Sequence, residues 1–371
     1  MRLLVVNVGS SSLKLSVLDG EEQVATESMA TSGRSLDEDA VRRFIVAREP
    51  IQAVGHRIVH GGTEFTSAVL VDERVRRRLE ALVDLAPLHL PKSLAGLDLL
   101  TRLLPEAPAV ACFDTSFHAQ MPPAASTYPL PAEWRRRWTL RRFGFHGLSH
   151  AWATRRAAEL SGRDVSSLRV VSCHLGAGAS LAAVAYGRSV DTTMGFTPLE
   201  GLVMATRSGT VDPGLVLWLE EHVGLPPAEL ASSLEHRSGL LALAGTPDMR
   251  AVLAAEAQGS VEATLAVAVY LHRLRAGIAA MAAAMDGLDV LVFTGGIGER
   301  AASIRSRTAA GLRFIGVALD EDVNASATPD AELSARSSSV RSFVVEARED
   351  LQIARDVLAL LSSGGQSVKG S

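Results

Sequence analysis

The chain has 371 residues, a hydrophobic content of 47% and a formal net charge of −4. This length predicts two domains of roughly 150 to 200 residues each, and the apolar content is sufficient for a sizeable core in both. The basic residues form no long block, so the sequence argues against binding of nucleic acid or of a membrane surface.

Three features favour a cytoplasmic protein. Cys112 and Cys173 each stand in an apolar run without a second cysteine nearby, which is typical of buried free thiols in a reducing compartment. The apolar run over residues 3–6 is too short for a signal peptide. The most apolar long segment, residues 263–285, contains a histidine and two arginines, so it predicts a packed alanine-rich helix rather than a membrane span.

The N-terminus predicts a β-hairpin in which a Gly-Ser-Ser-Ser turn joins a strand over 3–8 to a strand over 13–18. A similar glycine-rich unit recurs at 170–187, and this recurrence indicates an internal duplication. Both tips expose backbone amides that suit a phosphate chain, and an ordinary small-residue hairpin is the alternative for each. Because a strand follows each turn, neither is a Walker loop or a dinucleotide-binding loop, both of which need a helix there.

Residues 53–62 predict a strand that carries Arg57 among apolar neighbours and ends in a glycine pair. Because an unpaired buried charge is costly, either a structural carboxylate or an anionic ligand must pair with this guanidinium. Helices are then predicted over 72–85 and, with Ser93 as its cap, over 93–104, and a rigid proline loop lies between them.

Residues 108–113 predict a buried strand that ends at Asp114. Carboxylates at strand ends in α/β domains often face ligands, and a cap of the following turn is the alternative. After a proline-rich crossing over 122–131, His146 stands near the start of a helix predicted to run to residue 160. Anions bind favourably near such a helix start.

Seven of the ten histidines fall between positions 56 and 174, and this clustering raises a zinc site as an alternative. The sequence has no HExxH motif, no closely spaced His-x-His pair and no cysteine partner, so a histidine-based metal site is disfavoured. The seven stand largely at predicted element ends: His56, His60, His89, His118, His146, His150 and His174.

The remaining elements complete a second α/β pattern. Helices are predicted over 215–222, from residue 246, through the alanine-rich segment to Gly287, over 301–311 and over 351–361, and strands over 289–293 and 342–346. The glycine turn over 294–299 joins the first of these strands to its helix, an arrangement that lets a nucleotide approach the backbone closely.

Nine segments, taken in order, resemble the acetate kinase family of the acetate and sugar kinase, Hsp70 and actin superfamily. They are NVGSSSLK, GHRIVHGG, PLHLP, FDTSFH, FGFHGLSH, HLGAGAS, DTTMGFTPLEGLVMATRSG, FTGGIGE and EDLQIARD. The resemblance extends from Asn7 to Asp356, so it is far more specific than any one motif.

The resemblance implies an α/β fold of two duplicated ribonuclease-H-like, actin-like ATPase domains around a central cleft. Residues 1–118, completed by the helix 351–371, are the implied first domain, and residues 119–350 the implied nucleotide-binding domain. The implied reaction is reversible, Mg²⁺-dependent transfer of the ATP γ-phosphoryl group to acetate, giving acetyl phosphate and ADP. Mn²⁺ is an implied substitute for Mg²⁺, and the implied assembly is a homodimer.

Site residues are implied position by position. Asn7 and Glu349 correspond to the Mg²⁺-associated pair. Arg57 and Arg207 correspond to the two guanidiniums that bind the acetate carboxylate and the transferring phosphoryl group. His146 corresponds to the histidine that stabilises the transition state.

Further implied positions form larger sets. Asp114 corresponds to a catalytic strand-end carboxylate, and His89 and His174 to additional active-site histidines. The acetyl-methyl pocket is implied at Val59, Leu88, Phe145 and Pro198, and Val59 stands two residues after Arg57, on the same face of a strand. The implied nucleotide-binding set is Lys14, His174, Leu175, Gly176, Ala177, Gly178, Asp248, Met249, Arg250, Gly295, Gly296, Ile297 and Gly298.

Three positions depart from the family. Ala177 stands where an asparagine is usual, Ala205 where a glycine is usual and Arg300 where an asparagine is usual. Ala177 lacks a side-chain amide that could contact phosphate, and Arg300 lies beside the predicted nucleotide turn. These departures bear on nucleotide affinity and nucleotide choice more than on the reaction type.

The residue types predicted for the site suit phosphoryl transfer to a carboxylate. A carboxylate nucleophile is already ionised at neutral pH, so the reaction needs no general base and depends on neutralising phosphoryl charge. A sugar kinase would need an aspartate base, and a nucleotide-gated scaffold of the Hsp70 or actin type would not need Arg57 and Arg207. A propionate or butyrate kinase, which differs in pocket volume, is the alternative within the family.

Overall fold

The computed structural model describes residues 1–9, 12–30, 36–87 and 89–364. The chain divides into two compact units. The first comprises Met1–Ala119, Phe145–Trp152 and Arg348–Ser371, and the second comprises Gln120–Gly144 and Ala153–Ala347. A six-stranded mixed sheet forms the centre of each unit.

The strands of the first unit are β1 (Arg2–Val8), β2 (Ser12–Asp19), β3 (Glu22–Ala30), β4 (Ala53–Ile58), β5 (Val69–Leu70) and β6 (Ala109–Phe113). They form a sheet in the order β3-β2-β1-β4-β6-β5. Consecutive side chains of β1, from Leu3 to Val6, are all buried, because a strand between two layers buries both of its faces.

The strands of the second unit are β7 (Arg169–Leu175), β8 (Ala179–Ala185), β9 (Arg188–Thr192), β10 (Val290–Thr294), β11 (Ala331–Glu332) and β12 (Arg341–Val344). They form a sheet in the order β9-β8-β7-β10-β12-β11, which repeats the order of the first sheet. The orientations repeat as well, since β1 is antiparallel to β2 and parallel to β4, as β7 is to β8 and β10. The internal duplication predicted from the two hairpins is therefore confirmed.

The α-helices are α1 (Glu38–Val46), α2 (Glu73–Glu80), α3 (Leu90–Leu103), α4 (Pro123–Ser126), α5 (Ala132–Arg137), α6 (Gly147–Ser161), α7 (Pro213–Trp218), α8 (Pro227–His236), α9 (Gly239–Ala244), α10 (Met249–Ala257), α11 (Val261–Ala283), α12 (Gly295–Arg300), α13 (Ala302–Ala310), α14 (Glu321–Ser326) and α15 (Glu349–Gly364). Short 3₁₀ turns occur at Val83–Leu85, Ser116–His118, Val165–Ser167 and Arg313–Ile315, and a π-helical turn at Leu219–Val223.

Helix α15 packs on the first sheet across β4. A Cβ atom at Gly55 would lie 2.6 Å from Cγ2 of Ile353, so the absence of a side chain on β4 lets the helix approach closely. Ile353 and Val357 are completely buried in this contact layer. As a result, the first residue of α15, Glu349, reaches the strand end where Asn7 lies.

Helix α11 is long and apolar enough to cross a membrane by length and composition. It also packs against β7 and β8 of the second sheet. Nine of its residues are buried, among them Tyr270, Leu274 and Ile278. This packing is that of the core helix that the sequence predicts.

Two predicted local features are wrong. α3 begins at Leu90, with His89 at the N-cap position and Pro91 in the first turn, so Ser93 lies inside the helix and does not cap it. Proline is favourable in a first turn because its missing N–H would have no helical partner there. Residues 294–299 are not an open turn, because α12 already begins at Gly295, directly after β10.

Candidate functional site

Arg57 and Asp114 meet at the same edge of the first sheet. β4 and β6 are parallel neighbours with Arg57 opposite Cys112, so their carboxyl ends lie side by side. Arg57 donates from Nε and Nη2 to the Asp114 carboxylate at distances of 2.6–3.2 Å. The Asp114 side chain is only 2% exposed, so the structure supplies the partner that a guanidinium at this position requires.

Asn7 and Glu349 complete a four-residue network with this pair. Arg57 donates from Nη1 to Oδ1 of Asn7 at 3.1 Å, and Asn7 donates from Nδ2 to Oε2 of Glu349 at 3.1 Å. The same Glu349 oxygen lies 3.6 Å from Nη1 of Arg57. Four predicted site residues from positions 7, 57, 114 and 349 are thus brought together.

The network sets the charge states of its members. Burial disfavours a charged Arg57, but the attraction of Asp114 and Glu349 outweighs this effect and raises the pKa of Arg57 above its ordinary value. Burial raises the pKa of Asp114, and the charge and hydrogen bonds of Arg57 oppose that rise. Arg57 therefore stays cationic throughout the physiological range.

The donor set of this network fits a hard divalent cation. Mg²⁺ prefers oxygen ligands and is commonly held by one or two carboxylates together with water and substrate phosphate oxygens. Glu349 provides carboxylate oxygens here, and Oδ1 of Asn7 accepts one hydrogen bond from Arg57 and keeps a second lone pair, whereas both oxygens of Asp114 already accept hydrogen bonds from Arg57. Glu349 and Asn7, the predicted pair, are therefore the candidates for the cation, and Asn7 also donates to Glu349.

His146 lies between β6 and α6. It directly precedes α6, as the sequence predicts, and its φ angle of +55° lies in the left-handed region. Phe145, beside it, is 1% exposed. Val59 is 8% exposed and lies one residue beyond the end of β4 at Ile58.

The structure also places two other predicted site residues of the first unit. His89 occupies the N-cap position of α3. Lys14 is exposed on β2, directly across the strand pair from Asn7. Leu88, predicted for the acyl pocket, lies outside the described residues, as do Ser10 and Ser11 of the first hairpin turn.

In the second unit, Arg207 is a half-buried guanidinium. It donates from Nη1 to the Pro198 carbonyl oxygen at 3.4 Å and contacts the Met204 sulfur at 3.7 Å. Within the described part of the chain no carboxylate lies within ion-pair distance of it. Burial lowers the pKa of Arg207, against the weaker opposing influence of Glu235. A partly desolvated cation with such neutral neighbours is a favourable site for an anionic ligand.

Much of the predicted nucleotide set lines one cavity of 310 Å³ in the second unit. This volume lies within the range of small-molecule sites, which is about 300–1,000 Å³. The cavity is lined by Gly176, Ala177, Pro247, Asp248, Met249, Arg250, Leu253, Gly296, Ile297, Arg300 and Ala301. The hairpin tip, the start of α10 and helix α12 therefore share a pocket, and Arg300, one of the departures from the family, lies on its wall.

The other predicted nucleotide positions are not part of this lining. Leu175 is completely buried at the end of β7, and Gly295 and Gly298 pack closely against the backbones of Leu175 and Phe293. Gly178 accepts a hydrogen bond from Gly176 across the hairpin tip.

A larger cavity of 410 Å³ lies in the first unit. Its described lining includes Ser116, Gly147 and Asp356 and contains none of the predicted site residues.

Sequence reasoning missed a polar cluster around Glu200. Arg142 donates to one Glu200 oxygen at 2.7 Å, and the Tyr128 hydroxyl donates to the other at 2.7 Å. Arg142 also donates to the carbonyl oxygens of Thr192 and Thr193. The cluster holds the loop that contains Pro198 and leads to Arg207. The only signal for it in the sequence is that Arg142 and Glu200 stand in or next to the motif segments.

The comparisons with known proteins agree with the motifs. A sequence profile of the Acetokinase family matches residues 22–355. A Microcystis aeruginosa protein named acetate kinase is 47% identical over 307 residues, which cover 82% of this chain and 76% of that protein. A Pseudothermotoga lettingae protein of the same name is 40% identical over 403 aligned positions, which cover 100% of both chains.

Solved structures give the same result for the fold. The crystal structure of Porphyromonas gingivalis acetate kinase matches with a TM-score of 0.89 at 35% identity, covering 97% of this chain and 99% of that one. A propionate kinase from Francisella tularensis matches with a TM-score of 0.89 at 34% identity, covering 96% and 98%. The predicted α/β fold of two duplicated actin-like ATPase units is thus confirmed. The chain belongs to the acetokinase family.

Proposed function

We propose that the protein is an acetate kinase that transfers the γ-phosphoryl group of ATP reversibly to acetate, giving acetyl phosphate and ADP. Membership of the acetokinase family supports this assignment. The observation that carries it is Arg207, a half-buried guanidinium bound to a carbonyl oxygen and a thioether and to no carboxylate of the described chain. Such a group is suited to an anion that arrives with the substrates.

The reaction places its main demand on charge. Acetate is ionised at neutral pH, so it attacks phosphorus without a general base, and the enzyme must hold two anions together. We assign Arg57 to the acetate carboxylate and Arg207 to the transferring phosphoryl group, because planar guanidiniums match both geometries. His146 is assigned to the charge that develops on the phosphoryl oxygens in the transition state.

The network around Arg57 supports its assignment. Asp114 engages Nε and Nη2, and Asn7 accepts one hydrogen bond from Nη1. A guanidinium has five N–H donors, so the contacts described here leave donors for a carboxylate. Asp114 is assigned to hold Arg57 in place, and not to act as a base.

Asn7 and Glu349 are the residues proposed to hold the divalent cation, and the hydrogen bond from Asn7 to Glu349 places them side by side. Mg²⁺, the proposed cofactor, would neutralise part of the triphosphate charge when bound. Mn²⁺ is proposed as a substitute, since it also favours oxygen ligands in octahedral geometry.

The 310 Å³ cavity is proposed to hold the nucleotide. The tip residues Gly176 and Ala177 lie on its wall, and His174, paired with Ser180, stands next to the tip of the same hairpin. Asp248 caps α10 and binds the Arg250 guanidinium at 2.8 Å, so both side chains are held at the pocket. Exposed backbone near Gly296 leaves room for close approach, because a Cβ there would meet no atom within 4 Å.

We propose that Val59 and Phe145, which are both apolar and buried, contribute to the acyl pocket. A propionate kinase is the second candidate, because the Francisella tularensis enzyme matches this fold as well as the acetate kinase from Porphyromonas gingivalis does. The names of the relatives compared by sequence favour acetate.

A hydroxylamine trap distinguishes these candidates. Acyl phosphates formed from Mg²⁺, ATP and acetate, propionate or butyrate are converted to hydroxamates and quantified as a function of acid concentration. We expect the highest kcat/KM for acetate, with Arg207→Ala, slowed by about 30- to 900-fold, as the control. A higher kcat/KM for propionate would favour the second candidate, and no hydroxamate with any acid would exclude both.

We also propose a cytoplasmic homodimer with functional domains 1–118 plus 351–371 and 119–350. Two free, buried cysteines, Cys112 and Cys173, support a reducing compartment. Exposed apolar side chains of the second unit support an interface between copies: Leu215, Leu217, Trp218, Val223, Val261 and Leu265. Light scattering should give the dimer mass, and a Trp218→Glu variant should give a monomer if this surface is the interface.

A further inference from the structure

His146 has a backbone conformation that residues with a side chain rarely adopt. Its φ angle is +55°, and in the described part of the chain Tyr186 and Asp286 are the other non-glycine residues with positive φ. Those two are exposed and lie in turns, where such angles are common. His146 instead stands between the buried Phe145 and the start of α6. A strained conformation there persists only if the surroundings hold it.

Two hydrogen bonds hold the peptide groups on either side of His146. Nε2 of His118 lies 3.1 Å from the carbonyl oxygen of Phe145. The backbone N–H of Gly147 donates to the carbonyl oxygen of Asp114 at 2.8 Å. Both holding residues come from the end of β6 and the 3₁₀ turn after it, which is the segment that also carries the partner of Arg57.

The fit around these bonds is close. A Cβ atom at Gly147 would collide with the Asp114 carbonyl oxygen and lie 2.9 Å from Cβ of Phe117. The Phe145 ring packs edge-on against His60, with ring centroids 5.4 Å apart. Phe145 is therefore fixed at its ring by one histidine and at its carbonyl by another.

The polarity of the His118 contact is determined by its partner. A carbonyl oxygen only accepts, so Nε2 must carry the proton. His118 is completely buried, and burial lowers its pKa to about 4. The ring is thus a neutral Nε2–H tautomer at physiological pH, as this hydrogen bond requires.

We propose that His118 is a positioning residue, whose Nε2–H bond to the Phe145 carbonyl holds the left-handed backbone that presents the His146 side chain. This inference rests on the role of His146 in the proposed function. His118 does not touch the reacting atoms in this account and acts only through the backbone of Phe145 and His146. Loss of the bond releases the strained conformation and displaces the imidazole from the position in which it acts.

Two amide substitutions test the role of the Nε2 proton. Gln places an amide N–H near the position of Nε2, whereas Asn places one near Nδ1 and does not reach the Phe145 carbonyl. We expect His118→Asn to lower kcat by about 10- to 100-fold, as small displacements of a reacting group do, with little change in KM. His118→Gln should recover most of that loss, because it keeps an N–H donor to the Phe145 carbonyl. Equal kcat values for the two variants would overturn the proposal.

His56 provides the matched control. It is 2% exposed, burial lowers its pKa to about 4, and its Nε2 has no hydrogen-bond partner in the described part of the chain. His56→Gln and His56→Asn should therefore give similar kcat values. A difference between them as large as that at position 118 would show that the Gln-to-Asn change acts through packing and would overturn the positioning role.

A double-mutant cycle separates this proposal from the proposed function. If His118 acts through His146, His118→Asn should cause no further loss of kcat in a His146→Ala background. Independent losses that multiply would refute the positioning role and leave the assignment of His146 intact. A His146→Ala variant with wild-type kcat would instead refute the role of His146 and this inference with it.

Discussion

Nη2 of Arg57 lies 2.6 Å from Oδ2 of Asp114, and Nε of the same guanidinium lies 3.1 Å from Oδ1. The exposed fractions of the two side chains are only 16% and 2%, so this is a shielded, bidentate ion pair. Asp114 consequently determines how Arg57 is oriented, and its removal leaves a buried cation whose nearest remaining carboxylate, Glu349, is 3.6 Å away.

Removal of Asp114 should destabilise the protein strongly. Asp114→Ala should lower the free energy of unfolding by about 3–5 kcal/mol, because breaking a buried ion pair strands the remaining charge. Urea denaturation measures the change. Asp289→Ala is the control, since Asp289 pairs with Arg169 through a similar bidentate contact but both side chains are more than 20% exposed. Its loss should be about 0–1 kcal/mol, and equal losses for the two variants would contradict the prediction.

The two arginines should differ in their effect on stability. Arg57→Ala and Arg207→Ala should each cost about 2–4 kcal/mol of transition-state stabilisation, measured from kcat/KM. Arg207→Ala should leave the melting temperature unchanged or raised, because the guanidinium is partly desolvated among neutral neighbours. Arg57→Ala should lower it, because Asp114 is then stranded. Near-normal turnover of both variants would show that the assignment is wrong.

Stability should fall on acidification below the ordinary pKa of histidine. Burial lowers the pKa of His56 and of His118 from 6.5 to about 4 in the folded protein. The unfolded chain therefore binds more protons between these values, and stability is complete above the unfolded pKa and declines as pH falls toward the folded one. Each histidine should contribute about 3 kcal/mol to this decline. Urea denaturation across this interval should show a shallower decline for His56→Gln than for wild type, and identical slopes would argue against a neutral buried His56.

The hairpin tip should affect the nucleotide and not the acid. Ala177 lines the 310 Å³ cavity, and its carbonyl oxygen accepts a hydrogen bond from Ala205. Ala177→Asn adds a side-chain amide that can donate to phosphate, so the KM for ATP should change more than the KM for acetate. Initial rates with each substrate varied in turn measure both constants. An effect confined to acetate would contradict the assignment of this cavity.

Acyl selectivity should depend on Val59. This side chain is 8% exposed and follows β4 directly after Ile58. Val59→Ala opens space for another carbon, and one methylene in such a pocket is worth about 1–3 kcal/mol. The ratio of kcat/KM for propionate to that for acetate should therefore rise, with ATP parameters little changed. If the ratio is the same in the variant, Val59 does not line the pocket.

The predicted fold depended on signals that are local in sequence. The alternating residues and glycine turns of the two hairpins predict β1–β2 and β7–β8, and their recurrence predicts the duplication. The first residue of α3 was harder to predict from the sequence. His89 and Pro91 resemble a rigid loop in sequence but occupy the N-cap and first turn of α3, because proline is compatible with both settings.

The candidate site was predictable only as a set of separate residues. Asn7 and Glu349 are 342 positions apart, and no local pattern specifies that Nδ2 of one donates to Oε2 of the other. The same holds for His118, whose neighbours in sequence do not indicate that it binds the Phe145 carbonyl. Such contacts depend on how α15 and the 3₁₀ turn pack on the sheet.

³¹P NMR of the protein with Mg²⁺, ATP and acetate tests the transfer of a phosphoryl group to acetate most directly. We predict acetyl phosphate and ADP in equal amounts, formed about 30- to 900-fold more slowly by Arg207→Ala. Inorganic phosphate with ADP and no acetyl phosphate would instead indicate a nucleotide hydrolase or scaffold and would contradict transfer to acetate.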